Sequence, residues 1–219
     1  MKFSSKTKHI LAAMLGFGLG GLIWGWGAYS FLGKSDTAGF DIPFLIDFGA
    51  IPLGIFGGLG LTIFSKDIKK ILKVIVLGTI GWAVGFSIAG IFSYYLFLFG
   101  GILGPFFAIL DYFLNINLIS FLNLEPSLRV GHLWLGFLIA GFLVSLIYAL
   151  LFQKQNKIKI ILFCSFVLAI SSLISPIIGN LIGDYVFHSL FVSYLITFIL
   201  ISISFGLALF KFLGIKNES

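Results

Sequence analysis

Seven side chains carry most of the chemistry this sequence offers. Arg129 is its only arginine, and His132 follows three residues later, so a helix places both on one face. Asp184 and His188 are four apart and share a face wherever the chain is helical there. Asp47 lies inside a long apolar run, with Gly49 and Pro52 close behind it, a combination that marks an interrupted helix. Trp24 and Trp26 lie in another apolar run, and at 100° per residue they point about 200° apart, so at least one faces protein. These types suit the binding of a small solute. Asp47 is a buried acid, Arg129 an anion clamp or counter-ion, His132 and His188 are donors, Asp184 is their partner, and a tryptophan is a stacking wall.

The same residues do not assemble a catalyst. The sequence contains no G-x-S-x-G elbow, no H-E-x-x-H pair and no Walker-type glycine loop. The single cysteine, Cys164, excludes an intrachain disulfide, a CxxC redox pair and a thiolate zinc site, and reads as a small buried apolar residue. His132 and His188 would be the only outer imidazoles for a haem, which is too little to build one on. The expectation is no enzyme, no metal and no cofactor.

The elements that must position these residues follow from composition. Of 219 residues, 59% are hydrophobic and 10% charged, with a mean hydropathy of +1.14. Soluble domains carry about 25% charged residues, so a soluble globular domain, a disordered chain and a nucleic-acid-binding module are excluded. About 20 apolar residues cross a bilayer core as a helix. Six runs qualify: 10–32, 42–64, 71–99, 130–152, 158–178 and 186–212. They are continuously apolar rather than alternating, which excludes a transmembrane β-barrel. The expected fold is therefore all-α, a single polytopic membrane domain of six transmembrane helices. The first run is too long for a signal-peptide core and lacks a cleavage motif, so it reads as an uncleaved span.

Lysine placement orients the chain. With the N-terminus inside, Lys2, Lys6, Lys8, Lys66, Lys69, Lys70, Lys73, Lys154, Lys157, Lys159, Lys211 and Lys216 are cytoplasmic. Those twelve, with Lys34 and Arg129 outside, account for all 14 basic residues. Only Asp67 and Glu218 of the 8 acids fall inside. The net charge of +6 is thus insertion and orientation chemistry, with lipid headgroups as partners for the lysines. Both termini are expected in the cytoplasm.

The long connection, 100–129, is external. Its helical stretch 106–124 scatters polar residues around the helix, which suits a re-entrant or cap helix partly covered by other spans. Tyr29, Tyr94, Tyr95 and Trp134 form an outer aromatic belt. Glycine supplies helix-packing faces: Gly18, Gly21 and Gly25 on one side of the first span, Gly16, Gly20 and Gly27 on the other, and Gly78, Gly81 and Gly85 in the third. Two smooth faces place the first span centrally.

In gross layout the chain resembles the substrate-binding components of vitamin-uptake transporters, with six spans, both termini inside and small residues on the first span. The resemblance implies a solute-binding membrane protein and supplies no substrate. The leading expectation is a non-enzymatic solute-binding or transport protein with an outward-facing polar site. The alternative is a structural or assembly subunit, in which the glycine faces dock a partner subunit or a second copy. The topology is checked by single cysteines in a Cys164→Ser background. Cysteines at Ser5, Lys69 and Gln155 are expected to resist an impermeant reagent applied outside, and cysteines at Ser35 and Ser127 to react. Labelling at position 69 in sealed cells overturns the orientation.

Overall fold

The computed structural model describes residues 4–32, 45–89, 91, 134–152, 156–183 and 185–213. Among them every regular element is a helix: α1 (Ser5–Leu32), α2 (45–62), α3 (Ile68–Ala89), α4 (Trp134–Leu151), α5 (Lys157–Gly183) and α6 (Leu190–Leu213). Four of these, α1, α3, α5 and α6, are long and apolar enough to cross a membrane, and α2 and α4 are shorter apolar helices. The chain is thus a multi-pass membrane protein, all-helical over the described residues. The external connection, with its expected re-entrant or cap helix, lies outside the described residues.

Polar residues set the helix starts. The Ser4 hydroxyl accepts the Thr7 N–H at 3.1 Å and caps α1. Asp67 caps α3, its Oδ1 accepting the N–H groups of Lys69 and Lys70 at 2.9 and 3.2 Å. That carboxylate offsets a local conflict. Lys69, Lys70 and Lys73 crowd a helix N-terminus, where the macrodipole disfavours cations.

α1 begins at Ser5 where its run begins at 10, and both helix ends at the α5–α6 turn also differ from the sequence expectation. The fifth run was expected to stop at 178, yet α5 continues to Gly183 with Pro176 inside it. Pro176 cannot donate to the Ser172 carbonyl. Neighbouring hydroxyls occupy carbonyls around the break: Ser171 and Ser172 donate to Leu168 and Ala169 at 3.0 and 2.7 Å, and Thr197 on α6 donates to the Ser175 carbonyl at 3.4 Å. The sixth run was expected from 186, yet α6 begins at Leu190. The chain reverses through a turn in which the Ser189 N–H donates to the Gly183 carbonyl at 2.8 Å and His188 has φ 49°. A residue in that region cannot belong to a right-handed helix, so His188 stands in the turn and not on α6.

The α2 segment also differs. An interruption was expected at Asp47, Gly49 and Pro52. The chain instead stays helical and widens. Leu45–Ala50 and Leu53–Gly57 are wound as π-helix, and Gly58–Thr62 returns to α. Pro52 itself keeps ordinary helical angles, φ −60° and ψ −43°. In an α-turn its ring collides with the carbonyl of Phe48; a wider i→i+5 turn relieves that collision.

Each helix packs antiparallel to the next, and α6 returns to α1. At these seams backbones approach over glycine. A Cβ on Gly16 would strike the Phe56 carbonyl of α2, and one on Gly60 would stand 2.5 Å from the Ala12 carbonyl of α1. The α2–α3 seam has Gly58 against Ile75, and the α3–α4 seam has Gly85 against Ala140 and Val144. Gly141 on α4 meets Ser165 and Leu168 on α5, and Gly179 on α5 meets Thr197 on α6. Between α6 and α1, a Cβ on Gly21 would stand 2.6 Å from the Phe198 carbonyl and the Ser202 hydroxyl.

The circuit is closed and its middle holds side chains, not a helix. Phe17, Trp24, Trp82, Phe86, Phe137, Tyr148 and Phe205 are all buried there. The central placement expected for α1 is therefore corrected. It is flanked on two sides, by α2 and α6, while Leu11, Leu15, Leu19, Leu22 and Trp26 form an exposed third side. On α3 the exposed stripe is Leu72, Val76, Ile80, Val84 and Ile88, spaced four apart as a lipid-facing helix side requires.

Not every glycine on the α1–α6 side is equally tight. A Cβ on Gly18 would meet only the Ile203 side chain, at 3.4 Å, which is ordinary contact. Gly18→Ala is expected to leave the melting temperature in mild detergent within about 2 °C. Gly21→Leu should lower stability by about 1–3 kcal/mol or more through overpacking against backbone. Equal effects of the two substitutions contradict this account of the seam.

Candidate functional site around Trp24

Of the seven residues singled out in the sequence, the structure describes Trp24, Trp26 and His188, and Asp47 by its backbone. Arg129, His132 and Asp184 lie outside the described residues, and so does any contact of Arg129 with Asp47. The backbone of Asp47 belongs to the first π-helical stretch; its side chain is outside the described set. His188 is exposed in the α5–α6 turn. Trp26 is half exposed, its ring edge-on to Phe48 at 5.8 Å on the outer side of the α1–α2 seam. Trp24 is buried in the middle, 1% exposed.

From that position one side chain reaches four other helices. The Trp24 ring lies 4.8 Å from Phe86 on α3, 5.8 Å from Phe137 on α4 and 4.5 Å from Phe198 on α6. Its indole edge lies over Gly49 of α2, where a Cβ would stand 3.3 Å from Nε1 and 2.9 Å from Phe86. Below it, Trp82 stands 5.1 Å from Phe86 and 4.9 Å from Phe205, and Phe205 stands 6.0 Å from Phe17. Tilted and edge-to-face pairs at these separations gain about 0.5–1.5 kcal/mol each beyond area burial.

Polar atoms punctuate this aromatic centre. The indole nitrogen of Trp24 and the hydroxyls of Thr79 and Ser202 are buried with no hydrogen-bond partner among the described residues. The Tyr148 hydroxyl faces the Trp82 nitrogen, whose N–H has it as a side-chain partner. Several sit on glycine: Trp24 Nε1 over Gly49, Thr79 Oγ1 against Gly54, Tyr148 over Gly78 and Ser202 over Gly21. The hydroxyl oxygens there can accept weak Cα–H contacts. An indole nitrogen cannot accept, so Trp24 holds an unpaired donor at a cost of about 1–3 kcal/mol.

Sequence reasoning did not single out Trp82, Phe86, Phe137 or Phe198. For Trp82 a signal existed. It lies seven residues from the described end of α3 at Ala89, about 10 Å at 1.5 Å per residue, which is deep for an interfacial aromatic. The phenylalanines had none, because 27 of them are spread over nearly every run.

No group of three or more His, Cys, Asp or Glu side chains suited to a metal occurs among the described residues, and Cys164 is a buried free thiol. The centre can therefore stack on, exclude or hydrogen-bond a neutral group. No known family model, curated protein or solved structure matches this chain.

Trp24→Phe keeps most of the ring contacts and removes the unpaired donor; its melting temperature is expected to match or exceed that of the unsubstituted protein. Trp24→Ala is expected to cost about 3–5 kcal/mol. If chemical denaturation in detergent gives equal losses for both, the indole N–H is paired and the description of this centre is wrong.

Proposed function

We propose that the chain is a non-enzymatic, six-span membrane protein, with both termini cytoplasmic, that binds and moves a small solute along the axis of its helix circuit. The solute enters at an outward-facing polar site to which Asp47, Arg129, His132, Asp184 and His188 contribute. One observation carries this reading: a π-helical, proline-containing α2 packed against an aromatic centre that holds an unpaired indole donor. π-turns occur often at functional sites. Irregular helices persist at membrane depth where they are enclosed by protein or line a pathway.

The assembly-subunit alternative needs glycine faces free to dock a partner. Gly21 and Gly25 lie against α6, and Gly78, Gly81 and Gly85 lie against α4 of the same chain. This favours the solute reading.

Native mass spectrometry of the protein extracted from its own membrane is the test. A bound small molecule is expected, and it should be lost from Asp47→Asn and Arg129→Ala proteins that still melt cooperatively. A stoichiometric protein partner with no small molecule replaces the solute reading with the subunit one.

A further inference from the structure

We propose that Trp24 is the moving gate of this molecule and that the π-helical stretch of α2 controls it, an inference that rests on the transport reading above. The centre of the helix circuit is closed by side chains alone. A solute travelling along the axis has to displace Trp24, Phe86, Trp82, Phe205 and Phe17, whose rings follow one another at separations from 4.8 to 6.0 Å.

Two of these rings are seated on α2, one at each end of its π-wound region. Trp24 lies over Gly49, and Phe17 lies over Gly57, where a Cβ would stand 2.6 Å from the ring. A Cβ at either seat would crowd a ring, so both rings rest on α2 backbone, and Phe17 rests as closely on Gly206 of α6, where a Cβ would stand 2.5 Å from it. Trp82 and Phe205 belong to the regular helices α3 and α6 and pack on each other. Rewinding π-turns as α-turns rotates everything beyond them about the helix axis. That carries the two seats sideways from under Trp24 and Phe17.

The closed position also leaves something for opening to satisfy. Trp24 Nε1 is buried without a partner, beside a helix whose Pro52 has removed one backbone donor. When Trp24 leaves its seat, its N–H meets water or an acceptor on the solute. The gate thus pairs a strained donor in the closed form with a satisfied one in the open form. Pro52 holds the closed form, because in an α-wound α2 its ring would collide with the Phe48 carbonyl.

The measurement is exchange of the indole N–H groups with D2O, followed by NMR on protein in lipid nanodiscs with 15N-labelled tryptophan. Trp24→Phe and Trp82→Phe assign the two buried resonances. In the unsubstituted protein the Trp24 indole is expected to exchange at least about tenfold faster than that of Trp82. Pro52→Ala, which removes that ring, should accelerate Trp24 exchange by a further factor of about ten and leave Trp82 nearly unchanged. Equal protection of the two indoles in the unsubstituted protein overturns the gate without need of any variant. So does a folded Pro52→Ala protein with unchanged Trp24 exchange. Either result leaves solute binding, read separately by mass spectrometry, standing. Loss of the small molecule from that experiment removes the transport reading itself.

Discussion

Trp24 can touch four helices at once only because α1 lies so close to two of them. Gly16, Gly20 and Gly27 bring its backbone against α2, and Gly21 and Gly25 bring it against α6. A side chain at any of these positions would hold the helices apart. The indole would then fall short of Phe86 and Phe137 across the centre, and the Gly49 seat would be out of reach. In lipid no hydrophobic drive pulls helices together, since the surrounding tails are as apolar as leucine. Association comes from dispersion at close range and from pairing polar groups, and both fall away within an ångström or so of added separation.

The winding of α2 follows from the same arrangement. A proline inside a helix costs about 3 kcal/mol when the turn stays tight. Widening relieves the collision, but leaves carbonyls short of donors at a depth where water is scarce. Enclosure between α1 and α3 keeps those groups from lipid. The price is visible in the centre, where indole and hydroxyl groups lie against α2 glycines without conventional partners. By contrast α5 carries Pro176 without widening, because serine and threonine hydroxyls hold neighbouring carbonyls. Two buried prolines are thus accommodated in two ways.

The lysine clusters and the aromatic centre divide the labour of the sequence. The clusters lie at helix ends, where charge is compatible with headgroups, and Asp67 reconciles one of them with the helix dipole. The centre carries rings and small hydroxyls only, so apart from the π-stretch and its seats nothing there fixes a charge or a metal among the described residues.

Composition and run length by themselves determined that this chain is helical and membrane-embedded, since no other backbone arrangement pairs its own polar groups over 20 apolar residues. They did not set the helix ends: α1 starts at Ser5 where its run starts at 10, and α5 ends at Gly183 where its run ends at 178. Turn chemistry was less legible. Nothing local announced that His188 would adopt φ 49° and delay α6, or that α5 would run through Pro176, because both depend on partners from the neighbouring helix. The tryptophan pair shows the limit most clearly. The 200° separation of Trp24 and Trp26 required one to face inward, and only the placement of α2 and α6 on either side of α1 decided that it is Trp24. The π-winding of α2 is tertiary in the same sense. Pro52 and its glycines permit it, but the room it occupies is set by α1 and α3, and a local sequence carries no record of how close its neighbours stand.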